Sequence, residues 1–131
     1  MGIELISLAR QIDIVFRQVE DELLSLSSGT VFIQIRNNIV GKFGVRHWPI
    51  EGRDGKMEIH RKGLSESQVI SFRQTAIDAL KYKRSWTHGE ILIDFTTKQN
   101  LLCTSVQLES NYNLAAMLPN QRGIPDNNAI I

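Results

Sequence analysis

Cysteine is nearly absent from this chain of 131 residues. Its one example, Cys103, has no internal partner, so no disulfide staples the fold and nothing calls for an oxidising compartment. Long apolar runs are missing too, and none approaches the roughly 18 residues that a membrane span needs. The N-terminus has no basic start and carries Glu4 and Asp13 among its apolar residues, which is not the form of a secretory signal. A cytoplasmic protein without a membrane association is therefore expected.

The chemical signatures of catalysis are equally scarce. His47, His60, His88 and Cys103 stand at no metal-ligand spacing from one another. Cys103 sits in an apolar strand pattern with no adjacent cation to favour its thiolate, and no serine lies in a nucleophile elbow. Gly41 and Gly44 fall inside a strand pattern, and Gly52 and Gly55 in a hairpin with no helix after it, so no phosphate-cradling loop is present. In a strand, such glycines mark a bulge or the close approach of another group. Glu90 and Asp94 share one strand face but are separated by four residues, about 13 Å, which is too far for a working pair. A small enzyme with Asp94 or Glu109 in a cleft is the weakest of three functional readings, and no cofactor or metal is expected.

What is present is ordinary globular material, 42% hydrophobic and 22% charged, with enough length for one core and no second. Leu5, Leu8, Ile12, Val15, Phe16, Val19, Leu23 and Leu26 recur at spacings of three and four, the stripe of an amphipathic helix of about six turns. Gly29 suits its left-handed cap. From Thr30 the period becomes two. Val31, Ile33 and Ile35 mark one strand, stopped by Asn37-Asn38; Ile39, Gly41, Phe43 and Val45 share a face of the next, which Pro49 must end or confine to an edge. Gly52–Gly55 is a hairpin signal with Asp-Gly at its close, leading to a third strand over 56–61 with Met57 and Ile59 inward. Ser65 and Gln68 form a capping box for a second helix with Val69, Phe72, Ala76, Ile77 and Leu80 inward. Two further strands follow, with Ile91, Ile93 and Phe95 and then Leu102, Val106 and Leu108 inward, joined by a turn at 97–100. A short helix near Leu114–Leu118 completes the order.

These elements predict an α+β domain over residues 1–118: a five-stranded antiparallel sheet with two helices on one face, in the order αβββαββ(α), and a mobile tail over 119–131.

Charge is segregated along the chain although the total is only +1. Residues 1–28 carry net −3, residues 29–88 net +6 and residues 89–131 net −2. Two binding functions follow. The first is a small non-enzymatic adaptor or regulator acting through protein contacts, as a homodimer or with another protein, through the broad helix stripe at Leu8, Val15, Phe16 and Leu23. The alternative is a single-stranded nucleic-acid (RNA) binding regulator. It would use Arg36, Lys42, Arg46, Trp48 and Arg61 on the open sheet face, cations for phosphates and rings for bases. A second basic group, Lys81, Lys83, Arg84, Trp86 and His88, follows the second helix.

Overall fold

The computed structural model describes residues 6–58 and 62–118. The first helix, α1 (Leu8–Leu23), starts at Ser7, whose side-chain oxygen accepts from the Arg10 N–H and so satisfies one of the orphan donors of the first turn. It is shorter than the apolar stripe predicts. Leu24 caps it in a right-handed conformation, and Gly29, expected as a left-handed cap, already belongs to the following strand. Leu5 and the tail after 118 lie outside the described residues.

Four long strands form one antiparallel sheet: β1 (Ser28–Arg36), β2 (Ile39–Arg46), β5 (His88–Lys98) and β6 (Leu101–Ser110), in the order β2-β1-β5-β6. The expected five-stranded sheet is corrected here. The third strand is instead a separate two-residue pairing, β3 (Gly52–Arg53) with β4 (Lys56–Met57). Met57, expected inward, is 56% exposed. Charged neighbours at Glu51, Arg53, Asp54, Lys56 and Glu58 leave this hairpin little apolar surface to bind it to the core. Ile59 and Arg61 lie outside the described residues.

All three hairpins turn through paired residues with positive φ: Asn37-Asn38 (53° and 63°), Asp54-Gly55 (52° and 76°) and Gln99-Asn100 (54° and 65°). That is the conformation whose twist matches two-residue connections between antiparallel strands.

The sheet has one covered face. Val31, Ile33 and Ile35 of β1 and Ile91, Ile93 and Phe95 of β5 pack there against Ile12, Val15, Phe16, Val19 and Leu23 of α1. The second helix, α2 (Glu66–Ala79), adds Val69, Phe72 and Ala76. Three rings link the layers, with centroids 5.0 Å apart from Phe16 to Phe72 and 5.0 Å from Phe72 to Phe95. The capping box read from Ser65 and Gln68 is formed in both directions. Just before it, Gly63 fits against the end of α1 so closely that a Cβ would meet the Leu24 carbonyl oxygen at 1.8 Å. This approach lets the Leu64 N–H donate to the Leu23 and Leu26 carbonyls, satisfying acceptors that α1 leaves open.

One strand departs from simple alternation. Ile33 pairs with Phe43 and Ile35 with Val40, so Gly41 and Lys42 together oppose Gln34. This bulge inserts one residue and reverses the parity of what precedes it. Val40, expected on the open side, packs on the core, whereas Ile39, expected to share a face with Phe43 and Val45, is 52% exposed. Gln11 of α1 fastens the rearranged turn: its Oε1 accepts from Val40 N–H at 2.7 Å and its Nε2 donates to Asn38 O at 2.9 Å.

After α2 come a single 3₁₀ turn at Leu80–Tyr82 and, beyond β6, a short α3 (Leu114–Met117) capped by Asn113. No helix among the described residues is long and apolar enough to cross a membrane.

Candidate docking surface on the open sheet face

Residues paired across antiparallel strands point to the same side, so the register lays out the face that the helices do not cover. One row reads Arg46, Thr30, Asp94, Ser105 across β2, β1, β5 and β6. The next reads Gly44, Phe32, Leu92, Gln107. Beyond it Gln34, Glu90 and Glu109 line up, with Lys42 at the bulge, and then Ile39, Arg36 and His88.

The charges on this face are sorted. Arg36, Lys42 and Arg46 occupy the β2-β1 half, and Glu90, Asp94 and Glu109 the β5-β6 half; Lys98 stands at the far end of β5. Phe32 and Leu92 form an apolar ridge between them. Phe32 lies over Gly44, where a Cβ would come within 2.8 Å of the ring. Lys42 Nζ and Arg46 Cζ are 5.9 Å and 5.8 Å from the ring centroid, within cation–π range.

Trp48 closes one end of the basic half. Its Nε1–H donates to Thr30 Oγ1 at 3.0 Å, and the Thr30 hydroxyl donates to Asp94 Oδ1 at 2.6 Å. Thr30 is buried, 7% exposed, while Trp48 remains 37% exposed. The opposite half is low at this end, because β6 presents the small side chains of Cys103 and Ser105. On the acidic half Glu90 faces Glu109 directly. Like charges so placed repel, and the hydrogen bond Glu90 accepts, from Gln34 Nε2, is long at 3.4 Å.

Val15, Phe16 and Leu23 are buried in the chain's own core and Leu8 packs against its edge. The helix stripe is broad because it meets both the sheet and α2, so Val15, Phe16 and Leu23 leave little surface for the partner contact expected of them. Of the basic set, Arg36, Lys42, Arg46 and Trp48 do share one side, whereas Arg61 lies outside the described residues. The second basic group is split: Trp86 is buried, with Lys83 Nζ 4.6 Å from its ring centroid, and His88 stands beside Arg36 on the open face.

Of the acidic residues on this face, Glu90 borders a depression and Asp94 is exposed on its strand. A shallow depression of about 480 Å³ at the bulge end of the face is lined by Arg36, Lys42, His88 and Glu90. A second depression, about 600 Å³, lies at the start of α2 between Ser27, Lys62 and Asn100. An apolar one of about 380 Å³ runs between Leu26, Trp48, Ile50 and Met57.

Trp48 and the cations Arg36, Lys42 and Arg46 were legible in the sequence. Leu92 was missed as a site residue, and Glu90 and Glu109 were read singly as carboxylates and not as a facing pair, because only strand order and register bring them together. No family model, no curated protein and no solved structure matches the chain.

Proposed function

We propose that this chain is a non-enzymatic adaptor that acts through protein contacts, and that its docking surface is the open sheet face. The observation that supports this reading is the sorted charge on either side of the Phe32–Leu92 ridge. A partner must then carry cations and carboxylates side by side, as a folded protein surface does. A polyanion could neutralise the β2-β1 half but would be repelled by Glu90, Asp94 and Glu109 on the other.

The test is a photo-crosslinking residue placed at position 92, with position 70 on the exposed side of α2 as control. Discrete protein adducts from position 92 alone, lost when Lys42→Glu is added, are the expected result. Absence of adducts at position 92 would remove the reading.

Single-stranded nucleic acid is the second reading, favoured by Arg36, Lys42, Arg46 and Trp48 lying on one side. It requires salt-graded binding of a labelled oligonucleotide, with each lost phosphate contact lowering the logarithmic salt slope by about one. Nuclease-sensitive adducts at position 92 would put it first.

A further inference from the structure

The open face has the features of one half of a symmetric pair. We infer that its occupant is a second copy of this chain, stacked face to face about a two-fold axis that runs parallel to the strands between β1 and β5. The inference rests on the docking reading above and specifies its partner.

Three features of the face are self-complementary under that one rotation. The axis carries the β2-β1 half of one copy over the β5-β6 half of the other and preserves position along the strands. Charge therefore meets opposite charge. Lys42 of each copy comes over the Glu90–Glu109 pair of its twin, supplying the cation that this repelling pair lacks, and Arg46 comes over the row that holds Asp94 and Ser105. The apolar ridge meets itself, with Phe32 over Leu92 and Leu92 over Phe32. Relief matches as well: the wall made by Trp48 falls on the low side of β6, at Cys103 and Ser105. A two-fold axis perpendicular to the strands would instead place cations over cations.

The dimensions suit such a contact. Four strands at about 4.8 Å spacing and nine residues in length present a face about 19 Å by 30 Å. With side chains standing on it, this approaches the roughly 800 Å² per partner of a standard interface. Two sheets stacked about 10 Å apart with their mean strand directions aligned, as this axis requires, would bring the side chains of both faces into contact. An interface of this kind is isologous, so each charge pair occurs twice and a single substitution acts twice.

Sedimentation velocity on the purified chain tests this directly. The expected species has twice the 14.9 kDa chain mass. Lys42→Glu and Glu109→Lys should each weaken association about tenfold or more, because each places like charges across the contact twice. The swap K42E/E109K should restore it, and Leu92→Arg should abolish it while the circular dichroism spectrum stays native and thermal unfolding stays cooperative, at a midpoint lowered only by the lost association.

A wild-type chain that remains monomeric overturns the inference. So does a dimer that survives L92R, or one that the charge swap fails to restore. The position-92 crosslink separates the two levels. Protein adducts in cells from a chain that is monomeric when pure would sink the second copy and keep the docking surface; loss of both would remove the two together.

Discussion

The two faces of the main sheet are built from the same strands and obey opposite rules. On the covered face, Val31, Ile33, Ile91, Ile93 and Phe95 are all fully buried against two helices, and the cluster they join is apolar. On the open face, cations and carboxylates occupy opposite halves about a narrow apolar ridge, and the buried polar residue Thr30 is held between a tryptophan and an aspartate. The comparison separates what stabilises the fold from what is left for recognition. Burial of apolar surface scales with area and is indifferent to pattern, whereas the sorted charges contribute little to a monomer and give direction to a contact.

Truncation of equal rings should expose that difference most strongly. Phe72→Ala, deep between α1 and the sheet, is expected to cost about 3–5 kcal/mol of unfolding free energy. Phe32→Ala on the open face should cost under about 1.5 kcal/mol, since its ring is only partly removed from water. Urea unfolding of both variants, at concentrations low enough for a monomer, makes the comparison; equal losses would break it. The concentration matters because association adds to apparent stability.

A smaller effect is expected at Thr30. Replacing it by valine keeps the shape but leaves the Trp48 indole N–H without its acceptor and Asp94 without its donor. A loss of about 1–2 kcal/mol should follow, together with a change in Trp48 fluorescence. Unchanged stability would mean that the open face holds no ordered polar network.

The smallest effect should be of opposite sign. Glu109→Gln removes a like-charge neighbour of Glu90, so thermal unfolding at low salt should show a gain of a few tenths of a kcal/mol in the monomer. Added salt should erase that gain. The same substitution should weaken self-association, setting monomer stability against contact within one residue.

Much of the fold was legible because its causes are local. The capping box at Ser65 and Gln68, the turns at Asn37-Asn38 and Asp54-Gly55, and the alternation in β1 and β5 each follow from a few neighbouring residues. Three features were not legible. The bulge at Gly41-Lys42 reverses which of Ile39 and Val40 faces inward, and alternation alone carries no sign of the extra residue. The segment 56–61 reads as a strand by pattern, yet its described part has so little apolar surface that Lys56 and Met57 pair with β3 and not with the main sheet. The α1 stripe reads as broad enough for a partner, but its breadth is used by α2, whose docking depends on the close approach at Gly63.

The candidate site divides in the same way. The sequence by itself determined the α+β class, the two helices, the inward rows of β1 and β5, and the presence of Lys42, Arg46 and Trp48 in one basic segment. Only the tertiary structure decided that β5 lies beside β1, that Leu92 joins Phe32, and that Glu90 faces Glu109. Periodicity fixes the side on which each residue of a strand points, because successive side chains alternate. Which residues become neighbours depends on strand order and register, and those are settled by contacts between segments more than fifty residues apart in the chain, as between Phe32 and Leu92.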